Sequence, residues 1–292
     1  MKHEILSIFP TNTEHGEGPI WHDKENCFYW VDLLKGKYFK GNPDTLFVKE
    51  YSINQPLGVL AIRQKGGFAM AVRDGFGLVD FAGEKLKLIN PSPEKNNSRV
   101  RFNDGAVDPL GRFFAGTMEW DGNEKIGKLF RLNSDYSYTQ INDGYYIPNG
   151  MGWSSDNKTM FIIDTLQHVM FAFDYDLESG EVSNKRIHVQ FDIEEFPDGM
   201  AIDSTGGFWV ALWGGSKLIR LDPSGKKIED IPLPVPYPTS CCFGGPNLNK
   251  LFITSSRIKL SKEEVLKYPL SGNTFLIETD LVGRKENRFK EI

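Results

Sequence analysis

The sequence predicts an all-β protein, a six-bladed propeller. Three observations carry that expectation. A glycine-opened apolar motif recurs six times at blade-like spacing, the segments after it are short, aromatic and β-branched, and no long amphipathic helix interrupts them.

The repeat is clearest where an oxygen-bearing side chain stands directly before a glycine: Glu17-Gly18, Asp104-Gly105, Asn149-Gly150 and Asp198-Gly199. Leu57-Gly58-Val59-Leu60 falls in the middle of the long first gap, and Thr239-Ser240-Cys241-Cys242 supplies a sixth member. Anchors at 18, 58, 105, 150, 199 and 240 lie 40, 47, 45, 49 and 41 residues apart, the spacing of propeller blades.

Each anchor opens a first strand, and a polar turn follows it: 22–26, 64–66, 108–111, 154–157, 203–206 and 246–249. Second strands are expected at 27–31, 67–72, 112–117, 160–164, 208–212 and 251–254, where Phe, Trp, Tyr, Val and Ile concentrate. Third strands follow at 127–132 and 217–221, the latter closed by the turn Asp222-Pro223-Ser224-Gly225. Residues 258–273 are expected to elaborate the last blade, with one short helical turn over 261–268. Divergent repeats that each need their neighbours predict one domain over residues 1–292 without an internal linker.

Composition narrows the function classes. A net charge of −5 and the absence of a Lys/Arg-rich run exclude a nucleic-acid partner. No apolar stretch approaches the roughly 18 residues of a membrane span. The start, Met1-Lys2-His3-Glu4 followed by Ile5 to Pro10, lacks the long apolar region of a leader. The three cysteines, two of them adjacent, read as reduced core residues, and the expected compartment is the cytoplasm.

Taken singly, Asp-Gly and Asn-Gly are ordinary turn pairs. Glu17 does not fit that reading, and all the pairs share one blade register. Equivalent positions of a circular repeat converge on one axis, so two carboxylates and an amide would meet there and repel unless a cation joined them. Glu17, Asn149 and Asp198 are hard oxygen donors suited to Ca²⁺, Mg²⁺ or Mn²⁺, with Zn²⁺ less suited because it favours nitrogen and sulfur. Three protein ligands leave positions open for water and substrate, as Lewis-acid catalysis requires. His15 lies close to Glu17 in sequence, whereas His168 and His188 read as ordinary strand or loop residues. There is no G-x-S-x-G elbow, so a serine nucleophile lacks support.

With Gly16-Glu17-Gly18-Pro19, Arg101-Phe102-Asn103-Asp104-Gly105, Pro148-Asn149-Gly150, Pro197-Asp198-Gly199 and the run Pro238 to Gly245 assembled, the chain resembles the senescence marker protein (regucalcin), gluconolactonase and luciferin-regenerating enzyme family. The resemblance spans about residues 14–289. It implies a six-bladed propeller with one divalent cation in the central channel, held by Glu17, Asn149 and Asp198, Ca²⁺ foremost. It further implies that Asp198 is the general base and that Arg101 and Asn103 contact substrate. A further acidic contact follows Gly116-Thr117-Met118, either Glu119 or Asp121, with Glu119 preferred.

The implied reaction is hydrolysis of a sugar lactone, a small-molecule substrate, to its aldonic acid. A phosphotriester-type hydrolase on the same metal site and a non-enzymatic calcium-binding regulator stand as alternatives. Nothing in the sequence demands assembly beyond a monomer or a weak homo-oligomer.

Overall fold

A computed structural model describes residues 3–292. Its strands form six four-stranded antiparallel sheets. Blade one comprises Gly16–His22, Cys27–Asp32, Lys37–Gly41 and Val48–Ser52; blade two comprises Leu57–Ile62, Phe68–Val72, Gly75–Val79 and Lys87–Pro91. Blades three and four are Val100–Val107, Phe113–Glu119, Gly127–Leu132, Tyr138–Tyr145 and Pro148–Trp153, Thr159–Asp164, Val169–Tyr175, Val182–Gln190. Blade five is Phe196–Ile202, Phe208–Trp213, Lys217–Leu221 and Lys227–Pro232. Blade six runs Pro238–Gly244, Lys250–Ser255, Thr274–Glu278 and then Ile5–Phe9, which comes from the other end of the chain.

The first strand of each blade packs beside the first strand of the next, and that of blade six returns to that of blade one. These six inner strands line a central channel. Expected second and third strands agree with the observed ones to within two residues. The outer fourth strands and the closing strand Ile5–Phe9 are additions, because their solvent face gives them a weak apolar signature. Ile5–Phe9 pairs antiparallel with Thr274–Glu278, so the backbone of the N-terminal strand closes the ring. The expected helical turn is the helix Lys262–Lys267, between the second and third strands of blade six. Ser261 caps it in a reciprocal box with Glu264. Among the described residues no helix is long and apolar enough to cross a membrane.

The core is divided among the seams between blades. Tyr29, Leu60 and Phe68 fill the seam of blades one and two, and Trp209, Cys241 and Phe275 that of blades five and six. The closing seam holds Phe9, Trp30 and Phe252, with Phe28 stacked on Phe252 at 4.3 Å. Cys27, Cys241 and Cys242 are buried and free, as the sequence reading expected.

Residues 282–292 cross the end of the channel away from the inner-strand starts and touch every blade. Ser204 N–H donates to Val282 O at 2.8 Å and Gly283 N–H to Leu248 O at 2.7 Å. Arg284 donates to Trp153 O at 2.6 Å and Asn287 to Val107 O at 3.0 Å. Phe289 N–H donates to Ile62 O at 2.8 Å, and Lys285 Nζ lies 2.8 Å from Asp23 Oδ2. The segment ends in a buried ion pair, Arg63 Nη2 to Glu291 Oε2 at 3.0 Å, which Tyr136 also joins. Glu291→Ala leaves the buried Arg63 with the exposed Asp80 as its acidic partner and a long bond to Val79 O, and is expected to cost about 3 kcal/mol in urea unfolding. A change below about 0.5 kcal/mol would contradict this role for the strap.

Candidate metal centre at the channel mouth

The chemistry-bearing residues sit where each inner strand begins, and each of those strands is bulged there. The register slips between Glu17 and Ile20, Leu57 and Val59, Phe102 and Gly105, Asn149 and Met151, Pro197 and Met200, and Pro238 and Ser240. A bulge re-aims a side chain out of the alternating pattern. The turn explanation that each Asp-Gly or Asn-Gly pair allows when taken singly does not apply to Asp104-Gly105, Asn149-Gly150 or Asp198-Gly199. All three pairs lie inside strands, and their glycines lack positive φ. These glycines instead permit close approach of neighbouring strands. A Cβ on Gly199 would fall 2.1 Å from Ser240 Oγ, and one on Gly150 would fall 2.7 Å from Met200 N.

Glu17, Asn103, Asp104, Asn149, Asp198, Arg101 and Glu119 are each at most 9% exposed. A relay of hydrogen bonds fixes the amides. The Thr165 hydroxyl donates to Pro197 O at 2.7 Å, so its oxygen accepts from Asn149 Nδ2 at 2.8 Å. That turns Asn149 Oδ1 to the other side, where Asn103 Nδ2 donates to it at 2.9 Å and to Pro148 O at 3.1 Å. Asn103 Oδ1 in turn accepts from Arg101 Nη1 at 2.7 Å. Blades three, four and five are thereby tied together around the site.

Two buried aspartates hold the loops ahead of Glu17 and Asn149. Asp32, ending the second strand of blade one, accepts from Glu14 N at 2.8 Å and His15 N at 3.2 Å. Asp164 does the same in blade four, accepting from Tyr146 N at 2.9 Å and Ile147 N at 3.2 Å. The main chain leading into Glu17 and Asn149 is anchored by the same device.

The electrostatics are those of crowded, desolvated carboxylates. Burial, then Asp104, pushes Glu17 up to about 8. Asp198 rises well above the usual carboxylate range through burial, then Glu17 and Asp104. Burial lifts Asp104 to about 6. Arg101 is the buried cation that opposes them; burial lowers it to about 10, and Glu17 and Asp198 pull it back up. Its Nη1 is engaged by Phe102 O and Asn103 Oδ1, while its buried Nε has no partner.

His15 does reach the cluster, with Nε2 4.0 Å from Glu17 Oε1. Burial, then Arg101 and Lys259, pushes it down to about 3, so it is neutral. The Ser256 hydroxyl donates to Glu14 O at 2.9 Å, so His15 Nδ1, 3.0 Å from Ser256 Oγ, carries the ring proton. Nε2 then presents a lone pair toward Glu17, whose raised pKa keeps a proton on the carboxyl when no cation is bound.

Among the described residues no three His, Cys, Asp or Glu side chains form a ready metal cage. The donor set is instead two carboxylates with an oriented amide oxygen, reinforced by Asp104 and faced by a histidine lone pair. One guanidinium opposes three carboxylates, and a hard divalent cation fits that surplus of oxygen and negative charge. Asp104, read in the sequence only as a repeat anchor, joins the cluster electrostatically. It also lines a cavity of about 390 Å³ deeper in the channel, which Arg284 to Asn287 help enclose. Thr165 gave no sequence signal, because its role depends on a carbonyl of the next blade.

Of the two acidic candidates after Met118, Glu119 is buried and accepts from Asn123 N at 3.0 Å, while Asp121 is exposed. Arg101 lies over the Trp120 ring at 5.8 Å, which places both on the blade-three side of the mouth.

Residues 15–257 match the SMP-30/gluconolactonase/LRE-like region. The chain belongs to that family. It is 36% identical over 281 residues to human regucalcin, covering 94% of each chain, and 37% identical over 269 residues to the Gallus gallus regucalcin, covering 90% of each. A luciferin-regenerating enzyme structure superposes with a TM-score of 0.89 at 26% identity, covering 95% of each chain. A calcium-binding protein, regucalcin, from Agrobacterium tumefaciens strain C58 superposes with a TM-score of 0.92 over 98% of each chain. At 24% identity the latter speaks for the six-bladed fold alone.

Proposed function

We propose that the protein is a divalent-cation-dependent lactonase that opens a sugar lactone to its aldonic acid. The observation that carries this reading is the buried cluster of Glu17, Asp104 and Asp198 beside the oriented Asn149 oxygen, with Arg101 opposing it. The family supports the same reaction class, and the hard oxygen donors make Ca²⁺ the first ion to test, before Zn²⁺, Mg²⁺ and Mn²⁺.

Glu17, Asn149 and Asp198 would hold the cation, which when bound supplies Lewis-acid polarisation of the lactone carbonyl. Asp198 takes the proton of the attacking water as its oxygen adds to the carbonyl carbon. Collapse breaks the ring C–O bond, and the proton passes to the departing alkoxide oxygen. Arg101, through the guanidinium edge not engaged by Phe102 O and Asn103 Oδ1, donates to substrate oxygen. Asn103 keeps Arg101 and Asn149 in place, and Glu119 accepts from a ring hydroxyl. These contacts hold the lactone in one orientation, which converts an encounter into a near-attack geometry.

The test is acid release in a weakly buffered indicator solution, on chelator-stripped protein with each ion restored separately. Aldonolactone opening is expected to vanish on stripping and to return with Ca²⁺ or another of the four ions. Turnover of a phosphotriester but of no lactone, or no turnover with any ion, would sink the proposal.

A further inference from the structure

The channel mouth has an aromatic side that the chemistry above does not use. Trp213 ends the second strand of blade five, and antiparallel pairing sets it opposite Phe196, just before Pro197-Asp198. Tyr237 immediately precedes Pro238–Gly244, the inner strand of blade six. Both therefore lie at the end of the ring where the inner strands start, as Glu17, Asn149 and Asp198 do. The Trp213 and Tyr237 rings stack with centroids 4.4 Å apart and 20° between planes. His15 packs edge-on against Trp213 at 5.6 Å and stands 4.0 Å from the Glu17 carboxylate. A single imidazole thus separates the indole from the acid cluster.

An aromatic pair of this kind is most often packing, and Trp30 and Trp209 here are fully buried core residues. Trp213 and Tyr237 differ, since both are partly exposed, and the exposed Gly214 and Gly215 add no side chain over them. Among the described residues neither the indole N–H nor the phenol O–H has a hydrogen-bond partner. Arg101, Glu119 and Trp120 belong to blade three, on the opposite side of a six-membered ring from blade six. Charged and hydrogen-bonding residues thus stand on blade three, and the partly exposed aromatic pair stands on blades five and six.

We infer that Trp213 and Tyr237 form the wall on which the C–H face of a polyhydroxylated ring packs, their N–H and O–H donating to its hydroxyls. The inference rests on the lactonase reading and names the side chains that recognise the hydroxylated ring of that substrate. A stacking contact is made alike in the ground and transition states, so Trp213 governs KM and not kcat.

The test compares the native chain, Trp213→Ala and Trp213→Phe, with melting curves to establish folding. Kinetics use an aldonolactone and γ-butyrolactone, and calorimetry follows binding of the matching alditol, which cannot be hydrolysed. Trp213→Ala is expected to raise KM for the aldonolactone about ten-fold with kcat within about two-fold, and to raise it less for γ-butyrolactone, which can use the ring face but not the N–H donor. Trp213→Phe keeps the ring face and is expected to retain most of the affinity. Equal loss on both lactones, a loss in kcat alone, or alditol binding that is absent or equal in all three proteins overturns the inference. A native chain that opens no sugar lactone removes the lactonase reading, and the alditol titration still decides the wall.

Discussion

Asp198→Asn is expected to lower kcat for lactone opening by about a thousand-fold, within the usual range for loss of a general base. The residue is buried, its strand is bulged at that point, and the Thr165–Pro197 hydrogen bond fixes the backbone just before it. Its pKa lies well above the usual carboxylate range from burial and the neighbouring Glu17 and Asp104 carboxylates. A coordinated carboxylate is a weaker base, so the ligand and base roles oppose each other at one side chain. Asparagine keeps a ligating oxygen and removes only the basic one. Measuring bound cation in the purified variant separates the roles. Retained cation with lost rate establishes the base, whereas a variant that keeps both cation and more than about a tenth of the native rate rules that role out.

The second large effect is on stability. Without a cation, Glu17 sits near 8 and Asp104 near 6, both raised from ordinary carboxylate values. A carboxyl whose folded pKa is raised binds more protons in the folded state. Its favourable contribution is present at low pH and is lost as pH rises through the folded value. Chelator-treated protein is therefore expected to melt at falling temperature between pH 6.5 and 8. His15 does not confuse this window, because its depressed folded value, about 3 against 6.5, acts only below it and with the opposite slope. Adding cation at a hundred-fold excess over Kd contributes about 2.7 kcal/mol. For a chain of this size that raises Tm by about 4 °C. The increment should be larger at pH 8 than at pH 6.5, since ionised carboxylates are the ligands. Calorimetric scans that show a flat or rising Tm in the stripped protein, or a smaller increment at pH 8, would remove the cation from this cluster.

Much of this was legible in advance because propeller blades write themselves as a period. The six anchors, the second strands and the helix beginning after Ser261 are local patterns, and each is found where the sequence puts it. The fourth strands were not legible, because segments such as Val182–Gln190 face solvent on one side and carry polar residues throughout. Ile5–Phe9 was not legible for another reason: its partner, Thr274–Glu278, lies at the far end of the chain.

The same division holds at the site. Glu17, Asn149 and Asp198 could be named from their common register, since equivalent positions of a closed ring must face one axis. Local pairing rules also allowed a turn at each Asp-Gly and Asn-Gly, and only the sheet register shows strand bulges instead. The sequence could place Arg101 beside Asn103, yet it could not show that their hydrogen bond continues through Asn149 and Thr165 into the next blade.

What the sequence alone determined is the number of blades, the first two strands of each, and which acidic and amide residues share a register. Those follow from short-range periodicity and turn chemistry. The tertiary structure decided how the ring closes, how the last residues strap one end of the channel, that Asp104 joins the acid cluster, and that Trp213 stands one imidazole away from Glu17. Such contacts join residues far apart in sequence, as Ile5 pairs with Ile277 in the closing strand and His15 lies against Ser256. No local preference encodes them, because each energy exists only once two blades are already side by side.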